Sequence, residues 1–250
     1  MDNGRIEKER EFHNDRFSGE KDIRSVTHKY YSIVDSAKNH YITLIKKYCN
    51  NRLLLEYGCG TGNASDRLID SNAIIQGIDI SQEAVAKASE NAARKGYNAE
   101  YRVMNAEELE YGDNHFNVVV GTGILHHLDL DRSYSEISRV LKTDGHAVFL
   151  EPLGHNPFIN LYRFLTPKLR TEDEHPLLMK DIQLAKKYFN DVDVAYFNLL
   201  TFFAIPLRNT PLYKSIYRIL QSLEGSLLKV IPFLKRYTWI VVIDMSNPIR

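Results

Sequence analysis

This chain has little cysteine, no excess of charge of either sign and no long hydrophobic run. Only Cys49 and Cys59 occur in its 250 residues. That pair has neither metal-ligand spacing nor the numbers of a disulfide framework, so no metal is expected and a reducing, cytoplasmic setting is. Lysine plus arginine number 32, as do aspartate plus glutamate. With no broad basic field, DNA and RNA are not expected partners. No apolar run approaches the ~20 residues of a transmembrane helix, so no transmembrane segment is expected. The opening residues Met1-Asp2-Asn3-Gly4-Arg5 begin a charged stretch rather than a signal peptide. Internal repeats and low-complexity tracts are absent as well.

What is present is a run of three glycines at alternate positions, Gly58, Gly60 and Gly62, directly behind the apolar segment Leu53-Leu54-Leu55. The segment reads as a buried parallel strand. Helical periodicity resumes at Ala64, Leu68 and Ile69, which puts the glycines at a strand-to-helix turn. Such a turn brings bare backbone and the N–H groups of a helix start against a ligand carrying carboxylate or phosphate. A second strand, Ala73 to Ile80, carries Asp79 about 20 residues after Gly58, where nucleotide-binding folds place a carboxylate on ribose hydroxyls. The glycine pattern is G-x-G-x-G, with Asn63 where a dinucleotide turn has its third glycine, so a pyrophosphate cofactor and a dehydrogenase fit poorly.

The stretch Glu56-Tyr57-Gly58-Cys59-Gly60-Thr61-Gly62 resembles the first motif of class I S-adenosylmethionine-dependent methyltransferases of the small-molecule type. The likeness continues in order through Asp79, Asn105-Ala106-Glu107-Glu108-Leu109, Phe116 to Val120, Leu125-His126-His127-Leu128 and Leu141 to Pro152. Six ordered pieces over residues 50 to 152 are far more specific than one motif. Two positions depart: Asn105 stands where the family often has Asp, and Asp144 where Gly is usual. The resemblance implies an α/β, doubly wound Rossmann-like sheet of seven strands, mostly parallel with an antiparallel last strand.

Pattern along the chain sets the organisation. Residues 1–25 read as a charged N-terminal arm, frayed or loosely helical, and 26–250 as the methyltransferase domain. Apolar residues at three- and four-residue spacing predict a helix over 26–48 lying on the sheet, which in similar enzymes lids the cofactor. Strands and helices alternate over 53–57, 61–70, 74–79, 82–95, 98–103, 116–121, 131–142 and 145–150. Asn156-Pro157 predicts an N-capped helix through Phe164, followed by a helix from Met179 to Phe189, a sixth strand over 192–199 and a last strand over 239–243. The segments 152–190 and 200–236 are expected to cap the carboxyl ends of the strands.

The resemblance implies S-adenosyl-L-methionine as cofactor. Glu56, Gly58, Gly60 and Gly62 are expected along its methionine half with Gly121, Asp79 on the ribose, Ile80 against adenine, and Asn105, Ala106 and Glu107 at the adenine edge. Tyr31, beside Tyr30, is a candidate to face the sulfonium through its ring. Asp79 alone could simply cap the helix beginning at Ser81, but the glycine loop upstream favours ribose binding. His126 and His127, just past strand four, and His155, after strand five, are the catalytic candidates, with His127 and His155 ahead; a structural role is about as common for His126 and His127. His175 belongs to the capping loop. Together these predict an enzyme that methylates an oxygen or nitrogen of a small molecule, the alternatives being a lipid-like or carbon acceptor, or a non-catalytic cofactor-binding adaptor. A homodimer is compatible with the aliphatic stretch near 196–236.

Overall fold

The computed structural model describes residues 3–18, 33–62, 68, 71–166 and 175–250. In chain order the elements are α1 (Asn3–Ser18), α2 (Asp35–Cys49), β1 (Leu53–Tyr57), β2 (Ile74–Asp79), α3 (Gln82–Lys95), β3 (Ala99–Val103), β4 (Phe116–Thr122), α4 (Leu130–Val140), β5 (Leu141–Pro152), α5 (Pro157–Leu165), α6 (Met179–Leu184), β6 (Phe189–Phe197), α7 (Tyr213–Val230) and β7 (Ile240–Pro248). The seven strands form one sheet in the order β3-β2-β1-β4-β5-β7-β6. β1 through β5 pair in parallel, while β7 runs antiparallel to both β5 and β6. The order reverses between β1 and β4, and doubly wound sheets bind ligands at that switch point.

Unbroken apolar runs in the central strands follow from burial on both faces. One face turns Leu55, Tyr57, Val119 and Phe149 toward Tyr134, Ile137 and Val140 of α4. The other turns Leu54, Val118, Val120 and Val148 toward Tyr41, Ile45 and Cys49 of α2. α2 therefore lies on the sheet as its periodicity predicts; the earlier part of that expected helix, with Tyr30 and Tyr31, lies outside the described residues. So does the helix expected over 61–70, apart from Thr61, Gly62 and Leu68.

Several boundaries differ for physical reasons. Within the charged arm, Asn3–Ser18 form a 16-residue helix, α1. It is tied down by Arg5, which donates to the His127 carbonyl at 2.9 Å and pairs with Glu107, and by Ser81, whose hydroxyl donates to Asn14 at 2.7 Å. β5 begins at Leu141, four residues before the expected 145, because Leu141 pairs with Phe116 across a register shift. The helix expected to reach Phe189 stops sooner, since Phe189 pairs with Pro248 and starts β6. β6 ends at Phe197, where Asn198 turns left-handed at φ 67 and gives its N–H to the buried Glu224 at 2.8 Å.

The segment 152–190 divides between two places. Ile159 of α5 and Phe202, Ile205 and Tyr217 of the 200–236 segment gather around Trp239 and Ile240, at the end of the sheet where β5 finishes. Ile182 and Ala185 instead join the main core beside α4. No helix among the described residues is long and apolar enough to cross a membrane.

Candidate active site

β1 ends because the chain turns left-handed at Gly58, Gly60 and Gly62, with φ of 71, 51 and 83. Space is as restrictive as conformation: a Cβ on Gly58 would lie 2.7 Å from Ile124 Cγ1, and one on Gly62 2.9 Å from the Tyr101 hydroxyl. The result is a cradle of bare backbone at the carboxyl end of β1. Asp79, the last residue of β2, latches it. Its Oδ2 accepts from the Gly60 N–H at 2.9 Å and its Oδ1 from the Ser81 N–H at 2.9 Å. The helix cap is Ser81 itself, whose hydroxyl accepts from the Ala84 N–H at 3.2 Å. Asp79 is thus placed by the turn rather than consumed as a cap, and it remains half-buried at the mouth with Ile80 beside it.

Glu56, one residue before the end of β1, is buried under the cradle. Cys59, inside the turn, is also buried; burial first, then the negative charges of Glu56 and Asp79, push its thiol well above the ordinary range, so it is no nucleophile. Beyond β3, Asn105 Oδ1 accepts from the Glu107 N–H at 3.0 Å, and the Ala106 carbonyl accepts from the Tyr57 hydroxyl. The Glu107 carboxylate is taken up by Arg5 and by the Asp129 N–H at 2.8 Å. Gly121 lies in β4 where a Cβ would strike Phe149 at 2.6 Å, so close packing alone requires glycine there.

The three candidate histidines have distinct surroundings. Glu151, fully buried near the end of β5, accepts at Oε1 from the N–H groups of Ile124 and Leu125, both at 2.9 Å, and its Oε2 lies 2.7 Å from His126 Nδ1. A carboxylate in that position fixes the proton on Nδ1 and leaves Nε2 as the basic nitrogen. His127 is buried with its Nδ1 3.5 Å from Glu9 Oε2 on α1. His155 Nε2 accepts from the Met179 N–H at 3.2 Å, and burial, then the Arg236 charge, holds its pKa below the ordinary histidine value. Glu151 therefore pairs with His126. His175 approaches the same turn, its N–H lying 3.4 Å from the His126 carbonyl.

Arg5, Glu9 and His13 are not among the residues expected at the site, and α1 delivers all three to the turn after β4. His13 Nε2 lies 3.5 Å from Glu9 Oε2, and its ring centroid is 5.5 Å from that of His127. The one signal in the sequence is the four-residue spacing of Glu9 and His13 within a segment too charged to look like core.

Residues 55–149 match the methyltransferase domain family. The chain is 34% identical over 119 residues to an uncharacterised protein of Methanocaldococcus jannaschii, covering 45% of this chain and 44% of that one. It is 29% identical over 113 residues to the ubiquinone biosynthesis O-methyltransferase of Pseudomonas fluorescens, covering 45% and 49%. The chain thus spans about half the length of these curated relatives. Among solved structures, the fold is similar to geranyl diphosphate C-methyltransferase from Streptomyces coelicolor, crystallised with S-adenosyl-L-homocysteine, at a TM-score of 0.66 and 12% identity over 98% of this chain and 99% of that one.

Proposed function

We propose that this chain, whose residues 55–149 form a class I S-adenosylmethionine-dependent methyltransferase domain, transfers a methyl group to an oxygen or nitrogen of a small-molecule acceptor. The observation that carries the reading is the glycine cradle held by Asp79 at the switch point of the sheet. Gly58, Gly60, Gly62 and Glu56 would hold the methionine half of the cofactor with Gly121, Asp79 the ribose, and Ile80, Asn105 and Ala106 the adenine. When bound, S-adenosylmethionine supplies a methyl already activated on a sulfonium, so alignment of the acceptor lone pair matters more than acid–base strength. Tyr31 stays a candidate for closing over that charge.

His126 would take the acceptor proton at Nε2, with Glu151 holding the ring and stabilising the imidazolium. The engagement of His155 by the Met179 backbone supports a supporting rather than a chemical role for it. An oxygen acceptor is favoured by the name carried by the Pseudomonas fluorescens relative.

A lipid-like acceptor is the second reading, and a specific feature supports it. Between 200 and 236 the only acid is Glu224, which is buried, whereas Arg208, Lys214, Arg218 and Lys229 are exposed among exposed Leu212, Ile219, Leu223 and Val230. A cap both cationic and apolar suits an amphipathic acceptor presented at an anionic surface.

The test is incubation with methyl-labelled S-adenosylmethionine and separate polar and lipid extracts, followed by mass spectrometry of labelled products. A labelled polar metabolite supports the main reading and a labelled lipid the second. Cofactor binding with no labelled product from either extract would leave the adaptor alternative.

A further inference from the structure

We infer that Glu9, His13 and His127 form a binding site for a divalent cation of the zinc type, joining α1 to the turn after β4. The donors are one carboxylate oxygen and two imidazole nitrogens, a set that binds zinc tetrahedrally and leaves a fourth position for water or an acceptor oxygen. Their spacing suits an ion between them. Ligand bonds of about 2.0–2.1 Å place the donors of a tetrahedral ion roughly 3.4 Å apart. Glu9 Oε2 lies 3.5 Å from His13 Nε2 and 3.5 Å from His127 Nδ1, and all three donor atoms fall within 4.8 Å of one another. Charge-assisted hydrogen bonds would draw such atoms to about 2.7–2.9 Å.

The scaffold fixes each donor independently. Glu9 and His13 are one helical turn apart on a single face of α1. His127 is held by its backbone: its N–H donates to the Ile124 carbonyl at 3.0 Å, and its own carbonyl accepts from Arg5 at 2.9 Å. Glu9 and His127 are buried while His13 is half-buried, so one side of the cluster is open to an arriving ion. Two nitrogens in the set favour zinc or a similar transition ion over magnesium or calcium, which prefer oxygen donors. Because α1 is also fastened at Glu107 and Ser81, an ion at the centre would complete a three-point closure of this helix over the candidate site.

The full chain, stripped with a chelator and dialysed, is titrated with Zn²⁺ and separately with Mg²⁺ by calorimetry, with circular dichroism confirming the fold of every variant. The expected result is one Zn²⁺ per chain, at least a ~10-fold loss of affinity in Glu9→Gln and His13→Ala, no change in His115→Ala, and no comparable uptake of Mg²⁺. No Zn²⁺ heat from the folded chain, undiminished affinity in folded His13→Ala, or equal affinity for Mg²⁺ would each overturn the site. None of these readouts depends on methyl transfer.

Discussion

Glu151 and His126 face each other across 2.7 Å at the carboxyl ends of β5 and β4, and the same carboxylate also fastens the backbone of Ile124 and Leu125. One buried acid thus sets both the shape of the turn after β4 and the tautomer of its histidine. The two roles can be separated by substitution. Glu151→Gln retains an oxygen for the backbone donors but loses the charge that supports an imidazolium. Both it and His126→Ala should lower kcat by about 100-fold with little change in the KM for S-adenosylmethionine. Glu151→Ala leaves the Ile124 and Leu125 N–H groups and His126 Nδ1 without their acceptor and should cost several kcal/mol in denaturant unfolding. Unchanged kcat in both milder variants would mean that positioning alone suffices for transfer.

Two left-handed glycines provide an internal comparison. Gly96 ends α3 at φ 69, where an added Cβ would meet nothing within 4 Å, whereas at Gly62, with φ 83, it would face the Tyr101 hydroxyl at 2.9 Å. Gly96→Ala should therefore cost only backbone strain, about 1 kcal/mol. Gly62→Ala adds a clash and displaces the cradle, so it should unfold at lower urea and weaken cofactor binding. Equal midpoints for the two would show that Tyr101 moves aside without penalty.

On the opposite face of the sheet from α4, the Tyr48 ring stacks on His146 at 3.6 Å and its hydroxyl donates to Asp244 Oδ2 at 2.8 Å. Burial, reinforced by that carboxylate, pushes the phenol up to about 12. The fold therefore favours the neutral phenol. Its contribution to stability is complete below pH ~10, the unfolded value, and is lost as pH rises through about 12. Phenolate absorbance should show several late-titrating tyrosines, since burial also raises Tyr57 and Tyr134, and Tyr48→Phe should remove the one titrating at about 12.

Glu224 on α7 accepts from the N–H groups of Asn198, Leu199 and Leu200 at 2.7–2.8 Å, closing the end of β6. Glu224→Ala leaves these donors without their acceptor and should destabilise the chain by several kcal/mol, whereas Glu224→Gln should cost less. Thermal unfolding of the two variants measures the difference, and matching melting temperatures would contradict it.

The central half of the fold was legible because its signals are local. Leu53 to Tyr57 forms β1, the glycines turn left-handed directly after it, and Asp79 closes β2. What escaped depends on partners distant in the chain. Phe189 joins a strand only because Pro248 lies opposite, and Leu141 only because Phe116 does. His126 ranked last among the histidines, since nothing in Leu125-His126-His127 reveals which ring meets Glu151 25 residues later. Glu9 and His13 were hidden in a segment whose charge suggested disorder, because the ion pairs and hydrogen bonds that order it reach across to Glu107, His127 and Ser81.

The most direct test of cofactor binding by the latched glycine cradle is calorimetric titration of the full chain with S-adenosyl-L-homocysteine, alongside Asp79→Asn. Binding is predicted at one site per chain, with a loss of at least about 10-fold in the variant, because the amide loses the charge that receives ribose hydroxyls and the Gly60 N–H. Absence of binding to the folded chain, or equal affinity in folded Asp79→Asn, would contradict it.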